Sequence, residues 1–224
     1  MPYLTRNEIE VIARRVVTAY LKLPTHKGEM VTTVDPELLA KEVLGLNVEC
    51  HRLSLTGNIH GLTVFGKVAV AIYDDPEHSD YYFLDGKTIL IEKELQENSA
   101  KIGRYHFTIA HEASHQIYKM LYPKEYLGNT YYRKIHYYTD SSFRSSDKWD
   151  EWRTNALAAA ILMPADMLRL NMVDFGLGER LQSIHWADRN YTNFIRLACL
   201  MGVSTQALAI RMKQLELLGS YYLG

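Results

Sequence analysis

The stretch His111-Glu112-Ala113-Ser114-His115 limits what this chain can fold into more than any other part of it. It lies within residues 104–121, which contain no glycine or proline and therefore favour one continuous helix. Residues four apart share one face of a helix, so both imidazoles can reach a single tetrahedral ion. Glu112 is turned about 100° from His111, which places its carboxylate where it can take a proton from a metal-bound water. The alternative is a pair of surface histidines on an ordinary helix.

The motif helix must also be anchored in a core, because metal ligands have to be held by packing before the ion arrives. Helical spacing predicts a buried stripe on it, and small residues beside the histidines would let a neighbouring element pack closely. The predicted stripe is Ile109, Ala110, Ala113, Ile117 and Met120.

Elements before the motif change from helical to strand patterns. The sequence predicts a helix from Thr5 or Asn7 to Leu23 and a second helix that Asp35 begins and Gly45 ends. Strands are then predicted at 48–56, 61–65, 67–73, 81–84 and Thr88–Glu92. This order favours an α+β fold in which a small, mostly antiparallel sheet leads into the motif helix.

Two histidines do not complete a catalytic zinc site, which commonly takes three protein ligands and leaves a fourth place for water. A third histidine six residues beyond the pair is excluded, because Leu121 stands there. The next strong helix is predicted from Asp147 to Pro164, and on it Glu151 and Asn155 share one face. Glu151 can bind the ion, and Asn155 can accept a hydrogen bond from a ligating histidine and so orient it. Other candidates for the third ligand are Asp150, His136 and His185.

These residues carry a resemblance to a known family. Phe107-Thr-Ile-Ala-His-Glu-Ala-Ser-His115, followed by Glu151-x-x-x-Asn155-x-x-Ala-Ala-x-Ile-Leu-Met-Pro164, is similar to the ImmA/IrrE family of zinc metallopeptidases. The family's usual Ala-Asn-x-Phe-Ala appears here as Thr154-Asn155-Ala156-Leu157-Ala158, a change in packing residues. The order of the preceding helices and strands is also similar, so the resemblance covers most of the chain.

The resemblance implies a zincin-like fold in which His111, His115 and Glu151 are the ligands and Glu112 is the general base. Members of this family are commonly encoded with mobile elements or stress regulons, where they cut or inactivate helix-turn-helix repressors. A helix-turn-helix repressor is therefore the protein partner that the resemblance implies.

Residues 122–147 form a polar stretch rich in tyrosine, with interleaved lysine and arginine. Three interpretations stay open: a nucleic-acid contact, a surface loop over the core, or the lip of a peptide cleft, which its place between the two predicted metal-bearing helices favours. This stretch or His136 could also supply the donor that a peptidase needs to stabilise an oxyanion.

The C-terminal part, 176–224, is predicted as a helical region appended to a metallopeptidase domain at 1–175. Two helices within 190–218, joined at Gly202-Val203-Ser204, resemble the spacing of a helix-turn-helix. Only Arg196, Arg211 and Lys213 are basic between residues 190 and 224, which argues against DNA contact. The many leucines of this region favour packing on the catalytic part or on a partner.

Bulk composition fits a folded enzyme. The chain has 224 residues, of which 47% are hydrophobic, and a formal net charge of −1, so no general attraction to nucleic acid is expected. The polar start and the absence of long apolar runs predict a cytoplasmic protein without membrane contact.

The sequence therefore predicts a zinc-dependent metallo-endopeptidase in which Glu112 assists the attack of a zinc-bound water on a peptide bond. The competing hypothesis is a non-proteolytic regulator that binds a repressor or DNA and keeps zinc for structure. The residues give no oligomeric state.

Overall fold

The computed structural model describes residues 3–74, 78–124, 135–139 and 145–222. The helices in these ranges are α1 (Arg6–Leu21), α2 (Pro36–Leu38, continued by a π-helical turn at Leu39–Val43), α3 (Lys93–Glu97), α4 (Ile102–Leu121), α5 (Ser145–Leu162), α6 (Ala165–Asp174), α7 (Tyr191–Leu200) and α8 (Thr205–Gln214). The strands are β1 (Asn47–His51), β2 (Ile59–Val64), β3 (Val68–Tyr73), β4 (Ser79–Leu84), β5 (Thr88–Glu92), β6 (Ile135–Thr139), β7 (Leu181–His185) and β8 (Leu218–Tyr222).

The first two helices begin at the side-chain caps that the sequence predicted. The Thr5 hydroxyl accepts a hydrogen bond from the Glu8 backbone N–H, and the Glu8 carboxylate accepts one from the Thr5 N–H in return. Asp35 caps α2 by accepting from the backbone N–H groups of Glu37 and Leu38. The helix α1 ends at Leu21, two residues before the predicted end.

The main sheet has four strands in the order β1-β5-β2-β6. The β1–β5 pair is parallel, and β2 pairs antiparallel with both β5 and β6. Strands β3 and β4 form a separate antiparallel pair. The predicted α+β class with small sheets is confirmed, while the zincin-like topology stays a prediction. Sequence patterns located β1 to β5 but missed β6 and β7, and they did not predict this division of the sheets, because pairing depends on contacts between distant residues.

Helix α4 lies between the sheet and the other helices. Its residues Tyr105, Ile109 and Ala113 are buried in one cluster with β5 side chains, including Ile89 and Ile91. On another side, Ile117 and Tyr118 pack with side chains of α1 and α5. The predicted buried stripe is confirmed except for Met120, which is 54% exposed near the end of the helix.

The C-terminal helices α7 and α8 pack on α4 and α5. Ala110 of α4 and Leu162 of α5 share a buried cluster with Phe194, Leu197, Leu208 and Met212. The buried Arg211 donates through Nε to the Met163 carbonyl at 3.0 Å and through Nη2 to a carboxylate oxygen of Glu10 at 3.0 Å. The Arg211 guanidinium and the apolar face of α8 therefore both contact other parts of the same chain, and these contacts join α8 to the rest of the protein.

The predicted second C-terminal helix was too long. It ends at Gln214, and residues up to Leu218 were wrongly assigned to it. Glu216 adopts a positive φ of 59°, after which β8 pairs in parallel with β7, Leu218 lying opposite Leu181. The left-handed backbone conformation of Glu216 is incompatible with continuing the helix. Leu217 and Leu218, which follow it, are buried.

Among the described residues, no helix taken singly has both the length and the apolar character needed to cross a membrane, although two bent pairs, 149–162 with 165–174 and 191–200 with 205–214, pass that test together by length and composition alone.

Candidate metal centre

Helices α4 and α5 pack side by side and bring the three predicted ligands together. The Nε2 atoms of His111 and His115 are 3.2 Å apart. The Glu151 carboxylate places Oε2 3.3 Å from the Nε2 of His111 and Oε1 3.7 Å from the Nε2 of His115. One ligand atom from each residue lies within 4.8 Å of the others, so this buried group could hold a metal ion.

These separations match the edges of a metal-centred tetrahedron. Zinc binds histidine nitrogen and carboxylate oxygen at about 2.0–2.2 Å, which sets neighbouring ligand atoms about 3.3–3.5 Å apart. The two nitrogens are 3.2 Å apart, and each has one of the two Glu151 oxygens at 3.3 or 3.7 Å, so the three side chains suit a tetrahedral ion. The residues present fit the ion that the sequence predicts.

Asn155 occupies the predicted supporting position. Its side-chain oxygen lies 2.9 Å from the Nδ1 of His111, one helical turn beyond Glu151. An amide oxygen can only accept, so Nδ1 carries the hydrogen in this contact and Nε2 presents its lone pair to the cluster. This arrangement fixes the tautomer that a ligating imidazole needs.

Glu112 directly follows His111 on α4 but does not belong to the group of three ligand side chains. Its side chain is fully buried, and neither carboxylate oxygen has a hydrogen-bond partner among the described residues. Burial, and secondarily the nearby Glu151 carboxylate, raises the pKa of Glu112 well above its usual value. A cation among the three ligands would oppose the effect of the Glu151 carboxylate on this pKa, because positive charge favours the ionised form of Glu112. A strongly perturbed acid beside a metal-ligand set is typical of a functional site.

The strand β2 approaches α4 closely at Gly61. A Cβ atom built there would lie 2.5 Å from the Thr108 methyl carbon and 3.2 Å from both Cγ and Oε1 of Glu112. Two and three residues further along β2, the hydroxyl of Thr63 and the Val64 carbonyl accept hydrogen bonds from Nε2 of Gln116 on α4, at 2.7 and 2.8 Å. The strand therefore closes one side of the centre and holds the Glu112 side chain in place.

Gly61→Ala is expected to destabilise the metal-free protein by about 1–3 kcal/mol, because the added methyl group overpacks the contact between β2 and α4. Gly66→Ala is the matched control, since a Cβ at Gly66 meets nothing within 4 Å. Urea unfolding of both variants measures the difference. Equal midpoints would show that the contact at Gly61 relaxes at no cost.

An aromatic side chain from β6 covers one ligand. The Tyr138 ring lies 4.2 Å from the His111 ring, centroid to centroid, at an interplanar angle of 32°. Phe107 lies 6.4 Å from Tyr138 and 6.5 Å from His111. These tilted ring contacts restrict the orientation of the His111 imidazole.

The other candidates for the third ligand stand elsewhere. Asp150 pairs with Arg153 at 3.1 Å and is not in the cluster. The Nδ1 of His185 accepts from the backbone N–H of Ala187 in a local turn after β7. The side chain of His136 and most of the tyrosine-rich stretch, 125–134 and 140–144, lie outside the described residues, so their predicted roles stay predictions.

Sequence reasoning missed three residues that shape the centre. Gly61 and Gln116 fix β2 against α4, and Tyr138 contacts a ligand ring. A glycine inside a strand does signal a close approach, so Gly61 carried a readable sign. No comparable local sign marks Tyr138, because its contact depends on the pairing of β6 with β2.

Comparison of the chain with models of protein families, and with curated protein sequences, gives no match.

Proposed function

We propose that this chain is a zinc-dependent metallo-endopeptidase that hydrolyses a peptide bond in a protein substrate. His111, His115 and Glu151 would hold the ion. The resemblance to the ImmA/IrrE family supports a helix-turn-helix repressor as the substrate. The observation that carries the proposal is the combination of three convergent ligands with a buried Glu112 whose carboxylate has no hydrogen-bond partner among the described residues.

The donor set supports zinc over the hard cations. Two imidazole nitrogens and one carboxylate oxygen are typical zinc ligands, whereas calcium and magnesium prefer sites built from oxygen alone. Bound there, zinc would polarise a substrate carbonyl and lower the pKa of a coordinated water.

Glu112 is the group that this chain offers for proton transfer. Within the described part of the chain, its carboxylate has no hydrogen bond to lose when it accepts a proton from water. A raised pKa makes it a stronger base than an exposed glutamate, so it can take that proton and deliver it to the leaving nitrogen. The close approach of β2 at Gly61 limits the positions the carboxylate can adopt.

An extended polypeptide suits the surface beside the centre. Strand β6 is the last strand of the four-stranded sheet among the described strands, and its Tyr138 contacts His111. A sheet edge next to an active centre can pair with a peptide in strand conformation, which presents successive carbonyl groups along one line. This favours a peptide bond over a small-molecule substrate.

One observation favours the alternative, a regulator with structural zinc: all three ligands are at most 4% exposed. Structural sites, however, usually have four protein ligands, and the described residues supply three to this group. A buried Glu112 that no described residue hydrogen-bonds is also costly in a site that performs no chemistry.

The test loads the full chain with one equivalent of zinc and incubates it with the products of the neighbouring genes, once these are identified, and with peptides from a denatured proteome. New termini are identified by mass spectrometry. Zinc-dependent termini, absent after chelation, are expected. Zinc bound with no cleavage of either substrate, together with a shift of DNA in a gel, would support the regulator instead.

A further inference from the structure

The four-stranded sheet has a second edge, formed by β1, at the end opposite β6. Asn47 donates through its backbone N–H to the Lys87 carbonyl, and the parallel register places Asn47 opposite Thr88 of β5. Alternate residues of a parallel strand bond to the same neighbour, so Val48 and Cys50 direct their backbone N–H and C=O groups away from β5. Within the described part of the chain, no residue forms a backbone hydrogen bond with these groups. The strand β1 therefore presents the backbone groups of an open sheet edge.

Two cavities lie along β1. One, of about 450 Å³, is bordered by α2 and by residues 46–49, and the other, of about 570 Å³, is bordered by residues 50–52. Consecutive residues of the strand thus adjoin open space over its whole length, and Val48 and Cys50 are only half-buried. An extended chain advances about 3.3 Å per residue, so a segment as long as β1 itself, five residues, can lie beside it.

The strand β1 lacks several features that prevent a sheet edge from pairing with another chain. It contains neither proline nor lysine, and its register against β5 is regular over all five residues, without a bulge. The carboxylate of Glu49 accepts a hydrogen bond from the Tyr82 hydroxyl, so this side chain is directed toward β4 and not across the edge. The backbone of β1 is therefore accessible to a further strand.

The side chains around this edge are predominantly acidic. Three carboxylates and one lysine line the first cavity, and four carboxylates, one lysine and one arginine line the second. The excess remains when Glu92 is left out, a buried residue whose pKa burial raises. The whole chain has a net charge of only −1, so the β1 edge is more acidic than the protein as a whole. A segment with lysine or arginine complements this charge, whereas a second copy of the chain would bring the same carboxylates together.

We propose that the β1 edge is an interaction surface that binds an extended, lysine- or arginine-bearing segment of a partner protein as a fifth strand of the sheet. Backbone groups of Val48 and Cys50 would supply hydrogen bonds that do not depend on the partner's sequence. Glu37 accepts from the Tyr105 hydroxyl of α4 at 2.8 Å, and Glu49 accepts from Tyr82 of β4, so neutral donors hold one carboxylate on each face of the sheet. These carboxylates select basic side chains. The surface is independent of the proposed hydrolysis.

The test uses the full chain and a displayed library of random peptides about twice as long as β1. Retained peptides are expected to be enriched in lysine and arginine. The best of them is synthesised, and amide hydrogen exchange of the wild type is measured with and without it. Exchange at the Val48 and Cys50 amides should slow about 10-fold or more, because these N–H groups become hydrogen-bonded. Basic peptides that bind without protecting these two amides would place the surface elsewhere and overturn the inference, as would a library without basic enrichment.

Two double variants then test the charge preference. Glu37→Gln with Glu49→Gln keeps an acceptor for each tyrosine hydroxyl and should weaken binding of the basic peptide about 3- to 30-fold. Asp166→Asn with Glu179→Gln removes the same charge at two exposed residues outside the cavities and should bind as the wild type does. Equal losses in both would indicate general attraction and overturn the inference. Protection of the Val48 and Cys50 amides without peptide, together with a dimer in sedimentation, would assign the edge to a second copy of the chain instead.

Discussion

Glu112→Gln is expected to bind one equivalent of zinc as the wild type does, and to hydrolyse peptide bonds about 10²- to 10⁴-fold more slowly. The amide keeps the size and burial of the side chain, so its close packing beside Gly61 should persist. A glutamine side chain cannot accept a proton from water at neutral pH. No carboxylate at this position can then take the proton of the attacking water or deliver it to the leaving nitrogen. The rate should fall through kcat, because the substitution leaves the peptide-binding surface intact.

The measurement pairs zinc titration with steady-state hydrolysis of a peptide that the wild type cleaves. Glu97→Gln is a suitable control, since Glu97 is an exposed glutamate on α3 that pairs with Lys93. The control should match the wild type in both assays. Full hydrolysis by Glu112→Gln would mean that another group takes the proton.

The same variant should change the pH dependence of stability in the metal-free protein. The raised pKa of Glu112 means that the folded state keeps a proton that the unfolded state releases near its usual value of 4.5. Stability from this group is therefore fully present below about pH 4.5 and is lost as the pH rises toward the folded-state pKa. Relative to wild type, Glu112→Gln should gain stability between pH 5 and pH 8, as measured by urea unfolding of both proteins.

Local spacing explains why much of the candidate centre could be predicted from the sequence. His111 and His115 on one helix, and Glu151 and Asn155 on another, are pairs separated by one turn, so each pair's shared face follows from helix geometry alone. Caps such as Thr5 and Asp35 act within three residues and were equally readable. The meeting of the two helices was a hypothesis, and the structure places Glu151 against both imidazoles.

The remaining features depend on residues far apart in the chain. The irregular register of β2 at His60 exists only in its pairing with β6, across more than seventy residues. The parallel pairing of β7 with β8, and the internal use of Arg211, likewise depend on where distant segments fold. Helical periodicity gave wrong predictions at Met120, which is exposed, and at 215–218, which are not helical. The period alone does not say where a helix ends or leaves the core.

The other large effect is expected at the third ligand. Glu151→Gln should weaken zinc binding by more than about 100-fold, because partners that only orient a ligand are already worth 10- to 100-fold. The amide removes the negative charge that offsets the ion and leaves two neutral imidazoles to hold it. Asn155→Ala should show an intermediate loss of about 10- to 100-fold, since it frees the tautomer and orientation of His111 without removing a ligand.

Asp150→Asn is the matched control, because Asp150 precedes Glu151 directly and its carboxylate pairs with Arg153 instead of the cluster. Competition with a chromophoric chelator at neutral pH ranks the variants, and the expected order of affinity is wild type and Asp150→Asn, then Asn155→Ala, then Glu151→Gln. This order follows from the distances of the carboxylate and amide oxygens to the imidazole nitrogens. Loss of zinc in Asp150→Asn with zinc retained in Glu151→Gln would show that the third ligand lies on a different face of α5 from the one proposed. The proposed metal site, and the hydrolysis that depends on it, would then be wrong.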